Sequence, residues 1–354
     1  MRRLRWYITN NLRRAPTALS VISFNFSSLL SLLLLGLLGS LALPPGCTDH
    51  RDDTTRDDTP ALTAAQLAQV RQKLVYQDSL HADSVVRAGG SLPGALLPTT
   101  RIVAYYGNPV HRKMGVLGQY PQEEMLSRLD KQVQEWRKAD PATPVRPALH
   151  AIAVIAQHDA GDDGKYRMAQ PDSVLERIVQ LGREQNTLVF LDVQVGLSTL
   201  PEELPRLEKY LRLPFVHLGI DPEFSMKSGR RPGTEVGEFD ATDINYARQF
   251  LARVASENHL PPKVLVVHRF RQDMITNYQN IKLDPRVQIV MHMDGWGTPS
   301  IKRSSYRKFI VKEPVEYTGF KIFYKNDLKP KNSRLMTPRE IASLSPNPLY
   351  IQYQ

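Results

Sequence analysis

From Arg101 to its last residue the sequence keeps a two-beat rhythm that few folds accept: a short apolar, β-branched run, then an amphipathic stretch with helical spacing. Strand-like runs fall at Arg101–Gly107, Leu149–Gln157, Thr187–Gly196, Phe215–Glu223, Lys263–Phe270, Val287–Gly295, Gly319–Tyr324 and Leu349–Tyr353. Between them lie helix-like stretches around Pro121–Lys138, Pro171–Glu184, Pro201–Leu211, Ala241–Asn258, Gln272–Asn280, Pro299–Phe309 and Pro338–Leu344. Several open on Pro, whose missing N–H costs nothing in a first turn. This alternation predicts an α/β fold, a (β/α)8 TIM-type barrel with the chain ending on strand eight. A doubly wound open sheet is the alternative.

In a barrel, residues of one parity point inward, and the last of them on each strand line the mouth. Here those positions are polar. Strand three offers Asp192 and Gln194, strand four Asp221 and Glu223, strand five His268, and strand six His292 and Asp294. Strand seven offers Lys321 or Tyr324 and strand eight Gln352; strand one adds Tyr105, Tyr106 and Asn108, and strand two Gln157 and His158. Barrels that only hold themselves together fill such places with Val, Ile and Leu. Plainer roles compete at several positions. Asp221-Pro222-Glu223 also reads as a helix-capping turn, Asp192 as a buried partner of the Lys321 ammonium, and His217 and His292 as satisfied core histidines.

Metal chemistry needs a clustered His and carboxylate set. His292, Asp294 and His268 offer one combination, but strand one carries no His-x-His, and neither a metal nor a cofactor is expected. His158 to Tyr166 has a calcium-loop flavour without an EF-hand's alternating oxygens and final Glu, so a hairpin turned at Asp163-Gly164 is the simpler reading. The longest irregular stretch, Ser225 to Asp240, follows strand four directly. With Gly229, Gly233 and Gly237 as hinges it is expected to close over a ligand, and Arg230 and Arg231 to meet an anionic or sugar substrate.

The formal charge of +10 is unevenly spread. Arg2, Arg3, Arg5, Arg13 and Arg14 stand in the first 46 residues with no acid or lysine, while the remaining 41 basic residues face 36 acidic ones with signs interspersed. That mixed surface argues against nucleic acid as a partner. The basic opening leads into an apolar run through Leu43, then Pro44-Pro45-Gly46-Cys47. Residues 1–46 therefore read as an export signal. Gly46-Cys47 resembles the lipobox of bacterial lipoproteins, although Pro44 and Pro45 stand where Leu and a small residue are usual. The resemblance implies lipidation of Cys47 and a membrane-anchored place in the cell envelope; an uncleaved signal anchor is the alternative. Residues 47–61 read as a disordered tether and residues 62–354 as one barrel domain, with a helix over residues 62–88 covering the seam between strands one and eight.

Two wider likenesses follow from the motifs. Tyr105-Tyr-Gly-Asn-Pro109, Met114-Gly-Val-Leu-Gly118, Leu191-Asp-Val-Gln194, Asp221-Pro-Glu-Phe224, Lys263-Val-Leu-Val-Val-His268, Met293-Asp-Gly295 and Gly319-Phe-Lys-Ile-Phe-Tyr324 together resemble a family of exported bacterial barrel lipoproteins. That family implies a fold and an address more than a reaction. Gly219-x-Asp221-x-Glu223 and Met291-His-Met293-Asp294 are similar to the strand-four and strand-six motifs of chitinase-like glycoside hydrolases, lacking the first Asp of one and the Tyr of the other. By that resemblance Glu223 is the general acid/base, Asp221 holds a substrate acetamido group, and Asp294 positions them. Asp192, Gln194, His268, Tyr106, Gln157, Lys321, Tyr324 and Gln352 are then expected to contact an oligosaccharide or glycan. A non-catalytic glycan-binding or scaffold barrel is the alternative.

Overall fold

Strands buried on both faces suit a parallel sheet wrapped inside helices, and the apolar runs of this chain are of that kind. The computed structural model describes residues 91–354, which belong to one compact unit. In chain order it contains β1 (Arg101–Gly107), α1 (Gln122–Ala139), β2 (Val145–Ala156), β3 (Arg167–Ala169), α2 (Asp172–Glu184) and β4 (Leu188–Val193). Next come α3 (Leu200–Glu203), α4 (Glu208–Leu211), β5 (Val216–Ile220), β6 (Phe239–Asp240), α5 (Ala241–Glu257) and β7 (Lys263–Arg269). The last are β8 (Ile275–Thr276), β9 (Val287–Met293), α6 (Pro299–Ser305), β10 (Tyr317–Ile322), α7 (Pro338–Ala342) and β11 (Tyr350–Tyr353).

Eight strands pair in parallel in the order β1-β11-β10-β9-β7-β5-β4-β2, and β1 pairs with β2 to close the ring. The expected barrel is therefore the observed fold. Its seam is an ordinary ladder from Ile102↔Tyr350 to Tyr105↔Tyr353. On the outside of that seam α1 supplies Trp136, whose indole N–H donates to the Tyr353 hydroxyl at 2.9 Å. The signal over residues 1–46, Cys47, the tether 47–61 and the helix over 62–88 all lie outside the described residues.

Local departures have local causes. The stretch expected as a helix at Gln272–Asn280 is two 3-10 turns around β8, which pairs with β6. β-Branched Ile275 and Thr276 favour extended backbone, and Asn277 is left-handed at φ 53°. The stretch at Pro201–Leu211 is split by the 3-10 turn Pro205–Leu207, since Pro205 cannot donate an amide to a continuing helix. β2 begins at Val145 rather than Leu149, because Pro147 lies near the strand's start, where proline is tolerated. The hairpin after β2 forms as expected: β3 runs antiparallel to β2, and Gly164 takes φ +70° in the connection.

Two apolar compartments result. Outward-facing Val103, Leu149, Leu191, Leu218, Val267 and Met291 meet the helices. Inside the ring, Ile102, Ala104, Phe190, Val264, Val266 and Val290 form an apolar lower half, plugged by Leu97 from the segment leading into β1. Gln288 clamps that plug: its side-chain oxygen accepts the Leu96 and Leu97 amides at 3.0 Å, and its Nε2 donates to the Leu97 carbonyl at 2.6 Å. Gln288→Ala strands these buried groups, and a loss of about 1–3 kcal/mol in urea-unfolding stability is expected; an unchanged midpoint would show that the plug is not held by this clamp.

Candidate active site at the barrel mouth

The upper half of the interior is polar because the inward parity of nearly every strand turns from aliphatic to charged or aromatic near its C-terminal end. Tyr106, Asp192, Gln194, Asp221, His268, Asp294, Lys321 and Gln352 are all buried there, and Glu223 is partly exposed beside them. Asp192 accepts the Tyr106 hydroxyl at 3.0 Å through Oδ2. His268 Nδ1 lies 2.8 Å from Asp294 Oδ2, and Lys321 Nζ is 3.0 Å from Asp294 Oδ1 and 4.0 Å above the Tyr106 ring. Gln194 ties the layer together: its Oε1 accepts the Ala156 amide at 3.1 Å, while its Nε2 donates to Tyr106 and to Asp221 Oδ2, each at 3.4 Å.

Asp221 and Glu223 do not share a strand. β5 stops at Ile220, and Asp221 caps the turn Pro222–Phe224, accepting the Glu223 amide at 3.1 Å. The capping reading is thus the observed arrangement, with Asp221 buried and Glu223 partly exposed at the end of β5. Lys321 pairs with Asp294, so the expected Asp192–Lys321 partnership is replaced by contacts of Asp192 with Tyr106, His150 and His268.

Charge divides the acids into two kinds. Burial pushes Asp192 and Asp294 up, but His268 and His150 beside the first, and Lys321 and His268 beside the second, hold both well below the usual carboxylate range. His268 is drawn up to about 10 because, against burial, its two carboxylate neighbours favour the imidazolium. Glu223 goes the other way: burial, then the charges of Asp221 and Asp294, push it up to about 8. Asp221 moves the same way, since burial and the charges of Asp192 and Asp294 outweigh His268 and raise it to about 7. The upper pair therefore retains a proton near neutrality above a lower pair that is fully ionised.

Some expected residues are elsewhere. Tyr324 lies on the helix side of the wall, stacked on Tyr353 and donating to Gln132 at 3.0 Å, with Tyr105 against it. Gln157 ends in the β2–β3 connection, where its amide donates to the Tyr166 carbonyl. Gln352 stays in the polar half but bonds His150 and Tyr350 and not the acid pair. His217 accepts the Val264 amide at 3.1 Å through Nδ1, whereas neither nitrogen of His292 has a hydrogen-bond partner among the described residues, so only the first is even half satisfied. The Ser225–Asp240 loop is tied down at both ends: Gly237 donates to the Glu223 carbonyl at 2.7 Å and packs on the Ser225 backbone, so it is no hinge. Arg230 pairs with Glu235 at the exposed tip.

Three residues in or beside the candidate site had weak or unread signals. His150 was hidden by a register shift between Ile152 and Val154, which reverses side-chain parity counted back from the strand's end. Tyr350 precedes Gln352 by one full parity step. Trp296, 47% exposed, follows β9 on the mouth face. Its loop is stapled by Lys302, which bonds the Gly295 carbonyl at 2.9 Å and Asp327 at 3.0 Å, while Asp327 also accepts the Gly297 amide at 2.9 Å.

Fold and site define a (β/α)8-barrel protein with a protonatable carboxyl pair over a buried histidine, aspartate and lysine network. No family model and no curated protein matches the chain. Solved structures that match include a family 5 xyloglucan-specific endo-β-1,4-glucanase from a metagenomic library, in complex with cellotriose. It is 11% identical with a TM-score of 0.34, over 64% of this chain and 77% of that one. Another is the catalytic module of a family 98 glycoside hydrolase from Streptococcus pneumoniae, 10% identical with a TM-score of 0.36, over 72% of this chain and 46% of that one. The barrel stands on its own strand pairing, independent of these likenesses.

The raised Glu223 carboxyl has a consequence for stability. In the folded chain it holds its proton up to about 8, against an ordinary 4.5, so its contribution is fully present below pH 4.5 and is lost as pH rises through 8. The neutral variant E223Q lacks that loss. It is expected to be more stable than the parent at pH 9, with the gap closing below pH 4.5; parallel stability curves would contradict the raised carboxyl.

Proposed function

We propose that this barrel is a glycoside hydrolase acting on oligosaccharide or glycan, with Glu223 as general acid/base. The observation that carries the reading is the partly exposed Glu223 carboxyl, pushed up to about 8 at the mouth of a barrel beside a second raised carboxyl, Asp221. Cleaving a glycosidic bond requires a proton for the departing oxygen, and a carboxyl still protonated near neutral pH can supply it. Asp192 and Asp294 are already committed to His150, His268 and Lys321, so neither is free to attack a sugar. That favours attack by the substrate's own acetamido group, with Asp221 holding the acetamido and Asp294 keeping the charge beneath it fixed. Trp296 offers an exposed aromatic face on the same side of the barrel, suited to stacking on a sugar ring.

A non-catalytic glycan-binding or scaffold barrel is the second reading, favoured by Asp294 being held between His268 and Lys321 as a structural ion pair. One variant separates the two. Glu223→Gln is expected to lower turnover of a cleaved glycan by about 10²–10⁴-fold with binding nearly intact. The parent's rate should also fall as pH rises through about 8, where the donor loses its proton. Parental turnover in E223Q would remove Glu223 from the chemistry, and saturable glycan binding by the parent without turnover across a broad panel would favour the scaffold.

The address belongs to the same proposal: export by residues 1–46 and anchoring in the cell envelope through a lipid on Cys47. Cys47→Ala is expected to abolish incorporation of labelled fatty acid and to change the processed mass. Labelling equal to the parent's would rule out the lipid anchor.

A further inference from the structure

Beneath the acid pair lies a second constellation that proton transfer at the mouth does not use. His150, Asp192 and His268 come from three strands, β2, β4 and β7, and none exposes any surface. His150 Nε2 and His268 Nε2 each lie 3.4 Å from the same oxygen, Asp192 Oδ1. None of these three atoms has a hydrogen-bond partner among the described residues, although all are buried. Bare polar atoms converging in an apolar barrel are costly unless something joins them.

The spacing suits an ion. Four-coordinate zinc with bonds of about 2.1 Å keeps neighbouring ligand atoms about 3.4 Å apart. All three ligand atoms lie within 4.8 Å of one another. Space is kept beside them by Gly219, an unusual residue for the interior of a buried strand. A Cβ there would stand 2.4 Å from Asp192 Oδ1 and 2.5 Å from His150 Nε2, closer than any van der Waals contact and near the length of a coordination bond.

The surrounding groups fix the ligands as metal sites require. Asp294 accepts from His268 Nδ1, which aims Nε2 at Asp192, and an ion bound there takes the place of the Nε2 proton that the two carboxylates otherwise hold on the ring. Tyr106 donates to the other Asp192 oxygen and leaves Oδ1 free. His150 Nδ1 meets the Tyr350 hydroxyl at 2.5 Å, and Gln352 has an unpartnered Oε1 close by. Turning that amide round gives a consistent set of protons: His150 Nδ1–H donates to Tyr350, Tyr350 O–H to Gln352, and His150 Nε2 keeps its lone pair.

We infer that His150 Nε2, Asp192 Oδ1 and His268 Nε2 bind one divalent first-row transition ion, zinc foremost, inside the barrel beside Gly219. Two imidazoles and one carboxylate are a borderline-hard donor set that selects such ions over calcium or magnesium. The site holds whether or not the mouth cleaves glycans, so failure of either reading leaves the other standing.

The test uses untagged full-length protein, refolded after chelation in the presence of ZnCl2 or CoCl2 and freed of loose ion by gel filtration. About one zinc per chain should be retained, and the cobalt form should show visible d–d bands. Asp192→Asn and His150→Gln, checked by circular dichroism, should each weaken retention about 10-fold or more. Folded parent that retains no ion and shows no d–d bands overturns the site, as do folded variants that bind like the parent. X-ray absorption of the zinc-loaded parent decides without any variant: two imidazoles in the first shell are expected, and a shell of oxygens alone contradicts the assignment.

Discussion

The structure depends on how the barrel neutralises charge in its own interior. Asp294 sits between His268 and Lys321, at 2.8 and 3.0 Å, while Asp192 faces His268 and His150. An ion removed from water survives only with partners at this range, and removing one partner costs far more than the pair contributes. The network therefore binds β4, β7, β9 and β10 to one another from the inside, above an apolar lower half held by packing and by the Gln288 clamp on its plug. It also sets the chemistry above it, because the ionised lower acids help to keep Glu223 and Asp221 protonated.

Making room for that network required backbone without side chains. Gly219 and Gly319 both occupy inward positions in strand interiors, where a Cβ would come within 2.5 Å of His150 Nε2 and His292 Nδ1 respectively. Large polar rings on one strand thus face bare backbone on its neighbours, which lets three histidines and a tyrosine share a ring eight strands wide. The His268 and His292 rings meet edge to face at 5.1 Å, as do His292 and Tyr350.

The barrel was legible in the sequence because short, wholly apolar runs alternate with helical stretches, several of them opening on Pro, from Arg101 onward. Asp192, Gln194, His268, Asp294 and Lys321 were legible as mouth-facing positions because parity counted along their strands carries them there, whereas Asp221 and Glu223 lie in the capping turn after β5 and not on one strand. The failures came where counting loses its origin. A register shift in β2 concealed His150, Gln157 falls past the end of β2, and Tyr324, two residues past the end of β10, follows the outer face with Tyr353. The charge states were the least readable, since Asp221 and Asp192 are the same residue type and differ only in what the fold brings beside them.

The central claim is that the mouth keeps a protonated carboxyl pair over an ionised one. Carbon-detected NMR titration of the side-chain carboxyls in metal-free protein, with Glu223 assigned through E223Q, tests it most directly. The account requires the Glu223 resonance to titrate near 8 and those of Asp192 and Asp294 to stay ionised through the acid range down to unfolding. A Glu223 carboxyl titrating near its ordinary 4.5 would contradict it.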